Sequence, residues 1–338
     1  MTEGAVAGHP ATGDAATVAE IADRVVGAYL GIAPGERFAI VVDTRTDVEI
    51  PTELVRATLA RGGDPIVVTI VPRARSGTEP PAPAAAAMAA ADVVLCAAST
   101  SLYHTSSKAA AQHAGTRGVF NAPYRADAWR NGAMTADFVA VRRQAEALAA
   151  LWRTTNEVHI TSPAGTDLRA TVTGREPMAW LTGICRNAGE VSAFPGGEVS
   201  LPPLEGTTQG VVVWERVASD LGALEAPVTI TIRDGRAVTI EGGSSADRLR
   251  AIVAEVRDAD NIGEIGIGLN PAARIADEIT EAKKAFGTVH IALGDSANEY
   301  GGLVECDVHL DGLVMEPTIE FDGVAVVVGG RHVYEFTP

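Results

Sequence analysis

Through the first 150 residues, short solid apolar runs alternate with stretches in which apolar side chains recur every three or four positions. Val18, Ile21, Val25 and Tyr29 fall at helical spacing, so Thr17–Gly31 is expected to form an amphipathic helix. Arg37–Asp43 (RFAIVVD) reads as a buried strand, and Pro51–Arg61 as a helix stopped by Gly62 and Gly63. The same logic predicts strands at Pro65–Val71, Asp92–Ala97 and Gly118–Phe120, and helices at Ala84–Ala90, Ser106–Ala114 and Thr135–Trp152. Strands alternating with helices imply a parallel sheet covered on both faces. The fold class is therefore α/β, with a flavodoxin/Rossmann-like parallel-sheet domain over residues 16–154.

The pattern changes after residue 154. From Glu157, apolar and polar positions alternate and turn at Pro163–Gly165, which predicts a β-hairpin. Further strands are expected at Gly210–Trp214, Pro227–Arg233 and Ala237–Glu241, with a tight turn at Asp234–Gly235. Thr288–Leu293, Cys306–Leu310, Thr318–Phe321 and Val324–Val328 are also strand-like, while Ala246–Asp258 and Asn270–Ala285 are expected to be helices. Residues 155–338 thus form an α+β, mainly antiparallel domain.

Composition narrows the functions. The formal net charge of −16 repels phosphate backbones, so nucleic acid is not an expected partner. Cys96, Cys185 and Cys306 stand far apart in apolar runs, which suggests reduced core thiols and a cytoplasmic setting. Residues 1–15 have the composition of a disordered tail, without the basic-then-apolar order of a signal peptide. No apolar run reaches the roughly 18 residues of a membrane span. The turn after the first strand has neither GxGxxG nor GxxxxGK[ST], so the first domain carries no nucleotide signature.

Chemistry concentrates in residues 287–312. His309 and Asp311 are two apart and leave the same face of an extended chain. His290 joins that face if its run pairs with theirs, and two imidazoles with a carboxylate can hold a divalent metal. A histidine hydrogen-bonded to a nearby acid would give the same pattern. Two more acids sit in unusual contexts. Glu198 follows Phe194-Pro-Gly-Gly, where irregular backbone is expected, and reads either as a ligand or as a turn acid. Glu264 lies in an apolar, glycine-spaced run and reads either as a paired or ligating carboxylate or as an edge-strand acid. In the first domain, Tyr103 and His104 follow a strand, where open α/β sheets place ligand groups; Ser99–Thr105 could equally cap the next helix.

In order, FPGGEV (194–199), GEIGIGLNP (263–271), GTVHIALG (287–294) and VHLDG (308–312) resemble the metal motifs of the aminopeptidase T/aminopeptidase S-type metallopeptidases. The resemblance covers the whole second domain and, more weakly, the first. It implies that Glu198, Glu264, His290, His309 and Asp311 are metal ligands, in a homodimer or higher homo-oligomer whose site faces an enclosed cavity. Those peptidases carry a further Glu five residues before the histidine of the HIALG motif, where this chain has Ala285. Their tyrosine after that histidine corresponds to Tyr300, which comes later here. A second branch of the fold is similar to 2,5-dihydroxypyridine 5,6-dioxygenase, which binds one iron through two histidines and a carboxylate. Its HLD pair matches His309 and Asp311, its other histidine falls where this chain has Glu264, and a histidine near its substrate matches His104.

Together these features imply a metal-dependent hydrolase of an amide or peptide bond, using one or two ions of Zn, Mn or Co and acting on a small molecule or short peptide. Glu198 is the candidate general base, and His104 or Tyr300 the candidate oxyanion donor. The alternative is a non-haem Fe(II) dioxygenase opening a hydroxylated N-heterocycle, with His290, His309 and Asp311 as its triad.

Overall fold

The computed structural model describes residues 16–297 and 300–334. The expected N-terminal tail, residues 1–15, lies outside them. Five strands form the first sheet, in the order Asp64–Ile70, Arg37–Asp43, Val93–Ala97, Arg117–Val119, Val191–Ser192, with every neighbouring pair parallel. Its last strand comes from beyond residue 154, so the chain returns to the first sheet after its first excursion into the antiparallel part.

The helices follow from local chemistry. Thr17 and Glu20 make a reciprocal capping box, and the helix Val18–Arg24 runs on through a π-helical turn at Val25–Tyr29. The expected Thr135–Trp152 helix begins later, at Phe138, because Asp137 accepts from the N–H groups of Val139 and Ala140. Thr135 ends a short 3-10 turn instead. A short helix at Ala126–Arg130, too brief to show periodicity, starts where Asp47 accepts from the Ala126 N–H.

The second half builds two antiparallel sheets. The larger runs Arg236–Glu241, Val228–Arg233, Gln209–Trp214, Asp167–Thr171, Glu157–Thr161, Thr318–Phe321, Val324–Val328, Arg331–His332. The smaller runs Gly222–Ala223, Val217–Ala218, His309–Val314, Val289–Gly294, Ile262–Gly268, Glu198–Leu201. The sheets meet closely at Gly312, where any Cβ would lie about 2 Å from the Trp214 ring. Val289, Ile291, Leu293, Ile265, Ile267 and Leu310 belong to the common core on that side. Strand alternation sends His290 and Ala292 the other way.

Two expected elements are corrected. Asn270–Ala285 is helical only at Ile279–Ala282. Most of residues 271–278 is exposed, so no apolar stripe is available to hold a longer helix. Asn270 instead spends its side chain on Ala133 O and Gly196 O. The strand expected at Cys306–Leu310 begins at His309, opposite Gly294, where the neighbouring strand ends. Cys306 is half-buried, whereas Cys96 and Cys185 are core residues as expected.

Candidate metal centre

The free face of the smaller sheet carries the site. His290 lies on Val289–Gly294, and Ala292 on that strand faces Glu264 on one side and Asp311 on the other. His309 pairs with Gly294, and Glu198 with Gly268. Four adjacent strands thus deliver five candidate ligands to one face.

Glu264 owes its direction to a bulge. Ile262 pairs with Leu293 and Glu264 with Ala292, leaving Gly263 as the extra residue. Ile262 therefore returns to the core while Glu264 faces the site. A Cβ at Gly263 would lie 2.4 Å from Asp295 O. Glu264 is 1% exposed and sits on an interior strand, which rules out the exposed edge-strand alternative. Glu198 is not a turn acid either: it opens the strand Glu198–Leu201, 1% exposed. The glycines before it do permit close approach, since a Cβ at Gly197 would lie 2.7 Å from the Asn270 Cβ. Gly266 leaves room for a ligand, because its Cβ would lie 2.0 Å from His290 Nε2.

The distances are those of a gathered donor set. His309 Nε2 lies 2.8 Å from Glu264 Oε2 and 3.5 Å from Asp311 Oδ1. His290 Nε2 lies 3.6 Å from Glu198 Oε2 and 3.8 Å from Glu264 Oε1. Among the described residues, Glu264, His309 and Asp311 bring one ligand atom each within 4.8 Å of one another. His309 Nδ1 is 2.9 Å from Asp295 O, to which it donates, so Nε2 is the nitrogen directed at the carboxylates. This backbone anchoring of the far nitrogen is common for metal-ligating histidines. His290 Nε2, Glu198 Oε2 and Asp311 Oδ1 are buried without a hydrogen-bond partner, although such atoms are costly to leave unsatisfied. The donor set and these unsatisfied atoms fit a divalent ion.

Two lysines complete the cluster. Neither was singled out in the sequence, although the Lys283-Lys284 pair lies shortly before the HIALG motif. Lys283 Nζ donates to Asp311 Oδ2 at 3.1 Å and lies 3.7 Å from Glu198 Oε2. Lys284 Nζ donates to Glu198 Oε1 at 3.0 Å. Burial disfavours every charge here, and the outcome depends on neighbours. For Lys283, the carboxylates of Asp311, Glu198 and Glu264 outweigh burial and hold the ammonium well above its ordinary value. For Lys284, burial prevails and the value is lowered. Burial opposes ionisation of Glu198, Glu264 and Asp311, yet the lysines and histidines around them hold all three low. Burial also opposes an imidazolium at His309, but Asp311 and Glu264 push it up to about 10.

Tyr300 stacks on His309, with ring centroids 4.4 Å apart and planes 4° from parallel. Burial and the carboxylates hold its phenol well above the ordinary value, so it remains a donor. His104 is exposed on the loop after Val93–Ala97, its ring edge-on to Tyr103, rather than buried in this cluster. A crevice of about 230 Å³ lies at the carboxyl ends of the first sheet's strands, lined by Ser99, Asn121, Tyr124, Phe194, Glu278 and Thr280. Among the described residues no helix is long and apolar enough to cross a membrane.

A family model described as 2,5-dihydroxypyridine 5,6-dioxygenase matches residues 28–334. No curated protein matches the chain in sequence. Among solved structures, the 2,5-dihydroxypyridine dioxygenase of Pseudomonas putida KT2440 is similar, with a TM-score of 0.76 and 19% identity, covering 94% of this chain and 97% of that one. Wild-type AmpT of Thermus thermophilus is similar with a TM-score of 0.64 and 17% identity, covering 94% of this chain and 99% of that one. At these identities the structures share the fold.

Proposed function

The chain belongs to the family described as 2,5-dihydroxypyridine 5,6-dioxygenase, and we propose that within it this protein is a metal-dependent hydrolase of an amide or peptide bond. One observation carries the proposal: the closest donor trio is one imidazole and two carboxylates, Glu264, His309 and Asp311. Glu264 stands where the resemblance to the dioxygenase branch calls for a second histidine. Exchanging an imidazole for a carboxylate makes the donor set harder, which suits Mn, while Zn and Co accept mixed imidazole and carboxylate ligands; each of the three acts as a Lewis acid. An ion held by Glu264, His309 and Asp311, with His290 and Glu198 beside them, supplies a polarised carbonyl and bound water of lowered pKa.

The chain's own groups do the rest. Glu198 is held ionised, and its Oε2, which lacks a hydrogen-bond partner, is the atom to take a proton from the attacking water. Tyr300 keeps its phenolic proton and is the donor for a developing oxyanion. His104 serves the same purpose only from a second copy of the chain, which makes a homodimer the assembly proposed here. The test is turnover of aminoacyl anilides and small cyclic amides after reconstitution with Zn, Mn or Co. Cleavage with at least one metal is expected; a full panel left intact by all three overturns the assignment.

The family model itself favours a second reading, ring opening of a hydroxylated N-heterocycle with Fe(II). His290, His309 and Asp311 would then be the ligands. Oxygen uptake with Fe(II) and a dihydroxypyridine supports this reading, and its absence removes it.

A further inference from the structure

We infer that Lys283 and Lys284 take the place of a second metal ion, so that this centre holds a single divalent cation. The inference rests on the metal centre proposed above but not on its hydrolytic chemistry. Five side chains with three carboxylates are ligands enough for two ions, and in two-ion sites the cations stand about 3.5–4 Å apart and share a bridging carboxylate. Here the side of the cluster between Glu198 and Asp311 already contains cationic groups. Lys283 Nζ lies 3.1 Å from Asp311 Oδ2 and 3.7 Å from Glu198 Oε2, while Lys284 Nζ lies 3.0 Å from Glu198 Oε1. The Lys283 side chain is 12% exposed and that of Lys284 5%, so water screens neither.

Charge balance points the same way. Three carboxylates against the two lysines leave one net negative charge, which a single divalent ion already overcompensates by one. A second ion would leave a strong positive excess in a buried site, and would have to displace an ammonium already bound to Glu198 or Asp311. The further acid that the resemblance to the peptidases calls for, five residues before His290, is Ala285 in this chain. Asp311 Oδ1, which has no hydrogen-bond partner, remains available to the one ion.

The experiment is a metal count on the full-length protein, stripped and then saturated with Zn²⁺ or Mn²⁺. Wild type is expected to take one ion per chain. The Lys283→Met/Lys284→Met double variant, having lost both built-in cations, is expected to take two, while Lys283→Arg stays at one. Manganese EPR gives a second readout that does not require the double variant to fold: an isolated Mn²⁺ spectrum is expected in wild type. Two ions per wild-type chain, an exchange-coupled manganese pair, or a double variant that folds and still binds one ion overturns the inference. Because stoichiometry is measured without turnover, failure of the hydrolase assignment leaves this test unaffected.

Discussion

His309 Nε2 approaches Glu264 Oε2 to 2.8 Å although their strands are not neighbours, since Val289–Gly294 lies between them. A contact spanning three strands requires both side chains to rise from one face and lean together. It brings a buried acid against an imidazole whose other nitrogen is already bound to Asp295 O. The centre depends on this juxtaposition.

Glu264→Ala removes the central carboxylate. Deleting an outer-shell partner of a metal ligand costs roughly 10–100-fold in affinity, and loss of Glu264 itself is expected to cost more. Competition with a chromogenic chelator measures it. Unchanged Zn²⁺ affinity in a folded variant would remove Glu264 from the ligand set.

Gly266→Ala tests the space allotted to His290. The new Cβ would lie 2.0 Å from His290 Nε2 and 2.1 Å from Cε1, so the ring must move. A loss of about 1–3 kcal/mol of stability is expected from the overpacking, together with weaker metal binding. Denaturant unfolding and metal titration report the two effects separately.

Metal uptake should release a proton. With its value pushed up to about 10, metal-free His309 is protonated at pH 7, and an ion must displace that proton. Affinity should rise as pH climbs from 7 toward 10, and calorimetry in buffers of different ionisation enthalpy should register about one proton per ion. The metal-free protein should show the matching stability profile. The His309 value is raised, so its contribution is complete below 6.5 and is lost as pH rises through about 10. The Glu264 value is lowered, so its contribution is present above 4.5 and is lost as pH falls below that. Thermal unfolding from pH 4 to 10, with and without metal, checks both signs.

Asn270→Ala tests how the approach to Glu198 is held. Its amide donates to Ala133 O and Gly196 O, both inside the fold. About 1–3 kcal/mol of destabilisation is expected from the stranded acceptors. Metal affinity should fall as well, because Gly196 and Gly197 lead directly into Glu198.

Thiol reactivity should follow burial. Burial pushes the Cys185 thiol up to about 12 and raises Cys96 further, whereas Cys306 is half-buried and less shifted. One thiol per native chain should react with a disulfide reagent, more slowly than a free thiol because its value is also raised, and peptide mapping should locate it at Cys306.

Much of this architecture was legible in the sequence because it is local. A solid apolar run such as Arg37–Asp43 reads as a buried strand, and the two-residue spacing of His309 and Asp311 places both on one face once that stretch is extended. The direction of Glu264 was not legible, since it depends on a bulge that shows only against Leu293 and Ala292. The return of Val191–Ser192 to the first sheet and the pairing of Glu198–Leu201 with Ile262–Gly268 are long-range events without a local signal. The Asn270–Ala285 segment misled because its alanines suit a helix while its exposed charges leave no face to bury. Lys283 and Lys284 look like ordinary surface lysines until the sheet brings Glu198 and Asp311 to meet them.

The most direct measurement is anomalous scattering from crystals of the zinc-loaded protein, collected at the zinc edge. A peak is expected in contact with Glu264, His309 and Asp311, with His309 Nδ1 still bound to Asp295 O. No peak at that place, or zinc bound elsewhere while these three side chains keep their metal-free contacts, would contradict it.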